Sequence, residues 1–299
     1  MGLQQMATRI DEVARELEEL RRRGYGEYVN IAGARLRYLA MGAGSPLLLI
    51  HGLGGFLEMW WHNIFPLSHR HRVFAVDMPG HGLSDSPANC YSVTHCTDYL
   101  LRIIDALELK SVTLVGHSLG GAVSINAAII SPERVANLVL VDSAGLTDKV
   151  PVAYRMTTVP FFGEVALKLA WKIVSERGIK RLFRDSTLVS KETLATVSAI
   201  ALRPNINQAI IRILRYNMGL IRSNRDSLVT QKLPLVKART LFIHGAQDRV
   251  FPLNNVRNAY NSTPNAQLIV FPDCGHSPHI EKPTEFNDAV LKFLEAGEM

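Results

Sequence analysis

The chain has 299 residues, 47% of them apolar and 20% charged, proportions of a globular protein with a core large enough for an α/β domain plus an inserted subdomain. The net charge of +6 comes from 33 basic and 27 acidic residues. The basic residues are scattered rather than gathered into a stripe with interleaved aromatics, so a nucleic-acid partner is not expected. No apolar run reaches the roughly 18 residues of a membrane span, and the N-terminal stretch lacks the apolar segment of a secretory signal. A cytoplasmic location follows as the expectation. Cys90, Cys96 and Cys274 have neither metal spacing nor the even count of a disulfide framework, so no metal is expected.

In residues 1–24, Ile10, Val13, Leu17 and Leu20 fall at steps of three and four. They form one narrow apolar stripe on an otherwise charged amphipathic helix. That stripe needs a partner, and packing on its own domain, a homodimer and a membrane surface are the three candidates. EYVNIAG and RLRYLAM then alternate like a hairpin. PLLLIHG, RVFAVD, SVTLVGHS, ANLVLVD, RTLFIHG and QLIVFPD read as strands buried on both faces. Helical periodicity occupies 92–107, 118–131, 254–261 and 283–295. Strand alternating with helix predicts a mostly parallel, doubly wound eight-stranded sheet, an α/β fold. The alternation stops over 146–234, which reads as a helical cap inserted into a core made of 25–145 and 235–299. An insertion between two such strands stands at the carboxyl edge of the sheet, where open α/β sheets bind ligands.

Gly116-His117-Ser118-Leu119-Gly120-Gly121 joins an apolar strand to a helix. Glycines two before and two after a serine permit the sharp turn that projects a hydroxyl out of a sheet, toward a helix N-terminus. A serine hydroxyl needs a base and a group that fixes the base's tautomer. His276 follows the last apolar strand and Asp248 the strand before it, in the order Ser, Asp, His. Asp142 also ends a strand and is the rival for the acid. Among the other histidines, His117 is expected to support the turn, His51 and His81 to bond loop backbone, and His279 lies further from the strand end than His276. The backbone amides of Leu119 and Leu53 are the expected oxyanion donors, with Gly54 as the fallback beside Leu53. Trp60, Trp61, Val159, Phe161, Phe162, Leu167 and Trp171 are candidates for an apolar pocket wall or for core packing.

HGLGG, DMPGHGLSDSP, GHSLGG, GAQDRVFP and GHSPHIEKP resemble the α/β-hydrolase superfamily from about residue 27 to residue 295, and within it serine carboxylesterases and lipases with a helical cap. The resemblance implies a cofactor-free hydrolase acting on a small-molecule ester, with apolar acyl groups favoured. Haloalkane dehalogenases and epoxide hydrolases carry aspartate where this chain has Ser118. Hydrolases of carbon–carbon bonds in meta-cleavage products look similar, but commonly have asparagine where His117 stands. Ester hydrolysis is therefore the first expectation. Carbon–carbon hydrolysis, acyl transfer to another acceptor and a slow-turnover small-molecule receptor stand behind it.

Overall fold

A computed structural model describes residues 26–87, 91–148, 155–165, 204–218, 224 and 227–297. Strands β1 (Glu27–Ile31) and β2 (Ala34–Met41) form a hairpin. They are followed by β3 (Pro46–Ile50), α1 (Trp61–Ser68), β4 (Arg72–Val76), α2 (Val93–Ala106), β5 (Val112–His117), α3 (Leu119–Ile130) and β6 (Val135–Val141). After α4 (Pro204–Met218) come β7 (Arg239–Gly245), α5 (Leu253–Ser262), β8 (Ala266–Phe271), α6 (Pro278–Glu281) and α7 (Pro283–Glu295). The eight strands make one sheet in the order β1-β2-β4-β3-β5-β6-β7-β8. β2 runs antiparallel to β1 and β4, and every pairing from β4 through β8 is parallel. This is the mostly parallel, doubly wound sheet expected from the alternation of strand and helix, in the α/β-hydrolase arrangement that the motif resemblance implies.

The strands read as unbroken apolar runs because helices cover both faces of the sheet. In β3, Leu48 and Ile50 join a cluster with Leu100 and Ile104 of α2 and Val123 of α3. Leu47 and Leu49 face the other way, toward Ile64 of α1 and Phe286 and Val290 of α7. α2 starts where the Ser92 hydroxyl accepts the His95 N–H at 2.9 Å, a side-chain cap for an otherwise unpaired amide. Buried residues run all round α3, as suits a helix wedged between the sheet and a second helix.

Between β6 and β7 the described residues hold helix and loop and no strand, in keeping with an inserted helical segment. α4 lies over the carboxyl edge of the sheet. Ile210, Ile211 and Leu214 cluster with Leu53 of the loop after β3. A Cβ placed on Gly80, in the loop after β4, would come within 2.7 Å of Ala209. The domain limits drawn from the sequence, with 146–234 as cap, remain a proposal. The N-terminal stretch 1–24, Leu167 and Trp171 lie outside the described residues. Among those residues, no helix is long and apolar enough to cross a membrane.

The loops after β3 and β4 are tied together by a buried ion group. Arg37 Nε donates to Asp77 at 2.6 Å and its guanidinium to Glu58 at 2.8 Å, with all three side chains at 7% exposure or less. The other Asp77 oxygen accepts Leu57 N–H at 2.7 Å. Arg37→Met leaves two buried carboxylates without their cation, and urea unfolding is expected to show a loss of about 3–5 kcal/mol. The loss will be larger at alkaline than at mildly acidic pH. Burial already pushes the Glu58 carboxyl above its usual value, and without the guanidinium it rises further, so folding disfavours its ionised form.

Candidate active site

Six parallel strands end at the same edge, and the loops after four of them hold the residues expected to carry the chemistry. Ser118 connects β5 to α3 at φ 51° and ψ −116°, a backbone state costly for any residue with a Cβ. Surrounding bonds hold it there. Its N–H donates to Val141 O at 2.9 Å, and its carbonyl accepts from Gly121 and Ala144, both at 2.9 Å. The two flanking glycines are needed for space. A Cβ on Gly116 would meet Gly120 O at 2.5 Å, and one on Gly120 would meet Ile50 O at 2.4 Å.

His276 stands in the loop after β8, 6% exposed. Its Nδ1 lies 2.8 Å from Asp248 Oδ2, in the loop after β7. The other Asp248 oxygen accepts Val250 N–H at 2.7 Å and Phe251 N–H at 3.2 Å. The β7 and β8 loops are joined by Gln247 N–H to Cys274 O and Cys274 N–H to Gln247 Oε1, each 2.9 Å. His117, next to Ser118, donates from Nε2 to the His276 carbonyl at 2.7 Å, which fixes the β8 loop against the serine turn. Burial disfavours an imidazolium at His276, but the Asp248 hydrogen bond and charge outweigh it and hold its pKa above the ordinary value. Burial pushes Asp248 up, and its contact with His276 brings it below the usual carboxylate value. Both directions describe a pair that stabilises a proton on His276. Burial first, and the neighbouring His276 second, push His117 down to about 3, so it stays neutral.

The loop after β3 closes the site from the other side. A Cβ on Gly52 would meet Ser118 Cβ at 3.0 Å. His51 sets the loop's shape: its Nδ1 donates to Gly52 O at 2.7 Å and its Nε2 accepts Met78 N–H at 3.0 Å. Leu53 is half-buried under α4, and Gly54 takes φ +71°, with Ile210 3.2 Å from where its Cβ would be. Leu119 is the first residue of α3, a position whose amide has no partner within its own helix. These placements bring Ser118, His276, Asp248, Leu53, Gly54 and Leu119 to one edge of the sheet.

Other candidates sit elsewhere. Trp60 is not a pocket wall. It has no exposed surface and packs in the core against His279, with ring centroids 4.2 Å apart, and against Phe286 at 6.2 Å. Its place in the short 3₁₀ turn before α1 turns the indole into the sheet's lower layer. Phe161 and Phe162 are 86% and 51% exposed, so neither is buried in an enclosed wall. Asp142, the rival acid, is engaged by another histidine: its Oδ1 is 2.8 Å from His244 Nδ1 and accepts Gly245 N–H at 3.0 Å.

Two contributors escaped the motif reading. Glu281 accepts Gly275 N–H at 3.0 Å and Ser277 N–H at 3.2 Å, bracketing His276. Its signal was the acid of GHSPHIEKP, one helical turn beyond the histidine. His244 was hidden at the end of an apolar strand.

A family model described as the alpha/beta hydrolase family matches residues 47–289. The chain belongs to that family. The dihydrolipoyllysine-residue acetyltransferase component of the acetoin cleaving system from Pseudomonas putida is 31% identical over 268 residues, spanning 88% of this chain and 68% of that protein. The 2-hydroxymuconate semialdehyde hydrolase of Pseudomonas sp. strain CF600 is 32% identical over 283 residues, 90% of this chain and 93% of that one. Among solved structures, a meta-cleavage product hydrolase from Pseudomonas fluorescens IP01 matches with a TM-score of 0.75 at 28% identity, covering 91% of this chain and 98% of that one.

The serine turn of this family member is a place where strain can be measured. Ser118→Gly removes the Cβ penalty, and thermal unfolding is expected to show a stability gain of about 1–3 kcal/mol.

Proposed function

We propose that this protein is a serine hydrolase that cleaves a carbon–carbon bond beside a ketone, in substrates of the 2-hydroxy-6-oxo-hexa-2,4-dienoate type. The observation that carries the reading is the 2.8 Å contact between His276 and Asp248 beside the strained Ser118 turn. The likeness to the 2-hydroxymuconate semialdehyde hydrolase, nearly end to end in both chains, puts this bond ahead of the ester expected from the sequence.

His276 takes the Ser118 proton, and Ser118 adds to the C6 carbonyl. The resulting oxyanion faces the amides of Leu53 and Leu119. The substrate reacts as its 2-oxo tautomer, the 2-hydroxyl proton having moved to C5 and the double bond to C3–C4. The C5–C6 bond then breaks, and its electron pair is delocalised from C5 through C3–C4 onto the 2-oxo oxygen. The imidazolium of His276 protonates C5. Water, deprotonated by His276, attacks the acyl carbon, releases the carboxylic acid and restores the Ser118 proton. Asp248 stabilises the imidazolium throughout. The net change is one water added across C5–C6.

Ester hydrolysis is the second reading, and His117 favours it, because it stands where carbon–carbon hydrolases commonly have asparagine. The same acyl intermediate serves both reactions, and only the leaving group differs.

The test compares kcat/KM for 6-alkyl and 6-phenyl 2-hydroxy-6-oxo-hexa-2,4-dienoates, followed by loss of the dienolate colour, with 4-nitrophenyl esters of short to long acyl chains. Faster turnover of the diketones is expected, and efficient ester cleavage with inert diketones would replace the first reading by the second. Ser118→Ala is expected to lose about six orders of magnitude in kcat and Asp248→Asn about four, while Asp142→Asn keeps most activity. His276 acts as base only when neutral, so kcat/KM falls as pH drops through its raised pKa. Asp248→Asn removes the carboxylate that raises it and moves that acidic limb to lower pH.

A further inference from the structure

His244 is the penultimate residue of β7, 1% exposed, and the reaction outlined above does not use it. Its Nε2 lies 3.0 Å from the Phe251 carbonyl. A carbonyl only accepts, so Nε2 carries a proton. Its Nδ1 faces Asp142 Oδ1 at 2.8 Å, and its Nε2 is also 4.0 Å from Asp248 Oδ2, the oxygen that holds His276. Two carboxylates and two imidazoles therefore alternate across three strand ends, in the order Asp142, His244, Asp248, His276.

We infer that His244, paired with Asp142 at 2.8 Å and set 4.0 Å from Asp248, is a positioning residue for the Ser118 relay, acting through Asp248. The inference rests on reading Ser118, His276 and Asp248 as the catalytic set. A second proton on His244 places a cation between two buried carboxylates, which stabilises both as anions at a depth where a lone anion is costly. The four groups then carry a net charge of −1 while His276 is neutral, and zero once His276 takes the serine proton. His244 thus tempers the basicity of His276, and Asp142 increases it.

The remaining titratable neighbours leave this balance to the four. Burial keeps the imidazoles of His117 on β5 and His279 on α6 neutral. Burial, followed by Glu281, raises the thiol of Cys274 in the β8 loop. The Glu281 carboxylate on α6 is turned to the amides of Gly275 and Ser277. Burial works against a charge on both partners: at His244 the charge and contact of Asp142 outweigh it, while the Asp142 carboxyl is pushed above its usual value by burial and pulled back by His244.

The test follows the full chain as native protein, His244→Gln, Asp142→Asn and the double variant. It reads two quantities: the pH dependence of inactivation by a fluorophosphonate, and the NMR titrations of His276 and His244. His244→Gln is expected to move the acidic limb and the His276 pKa up by about 1 unit, the size expected for a charge at such range. Asp142→Asn is expected to lower the pKa of His244 itself, and because both charges of the pair are then lost together it moves His276 less than His244→Gln does. The double variant should match Asp142→Asn. A residue that merely props the loop would lower rate or stability without the upward His276 shift. A His276 shift of zero or downward in His244→Gln, or a His244 titration unmoved in Asp142→Asn, overturns the inference. If His244→Gln does not fold, the His244 titration in Asp142→Asn decides alone. Full labelling of Ser118→Ala would sink the reading of the catalytic set instead, and the His276 titration would still report on His244.

Discussion

Ser118 is held at φ 51° and ψ −116°, and the rest of the site is arranged around keeping it there. A residue with a Cβ occupies that conformation only when its surroundings over-determine it. β6 supplies one constraint through Val141 O, the start of α3 another through Gly121, and the loop after β6 a third through Ala144. Because β3 and β5 to β8 run the same way, the chain leaves each of them at one edge. The serine, the histidine, the carboxylates and the glycine-rich loop therefore converge on that edge as a consequence of sheet direction. Parallel pairing brings them together although they are separated by well over a hundred residues of chain.

Electrostatics then sorts the histidines. His51, His117 and His279 are as deeply buried as His276, yet desolvation prevails in the first three and the Asp248 carboxylate prevails in the fourth. His51 and His117 spend their ring nitrogens on backbone, which makes them struts for the β3 loop and the β8 loop. Only His276 and His244 among these five stand 2.8 Å from a carboxylate oxygen, and only they are shifted above the ordinary imidazole value.

The core strands were legible because burial on both faces leaves an unbroken apolar run, and each run ends in the glycine, aspartate or histidine that the loop needs. Ser118, Asp248 and His276 could be proposed from the sequence for the same reason: each stands in the loop just beyond such a run. Trp60 stayed open between pocket wall and core packing because a tryptophan beside a glycine-rich loop looks the same whether its ring turns toward the ligand side or into the core. Only the path of the 3₁₀ turn into α1 decides. His244 was passed over because a strand pattern reports which face a side chain takes, and not that β6 would set Asp142 beside it. Pairing across strands is a property of register, which no single segment encodes.

Treating the full chain with a fluorophosphonate and mapping the adduct by peptide mass spectrometry asks whether Ser118 is a nucleophile activated by His276. One adduct is expected, on Ser118, formed far more slowly in His276→Ala and absent in Ser118→Ala. An adduct on another residue, or equally fast labelling of Ser118 without His276, would rule that activation out.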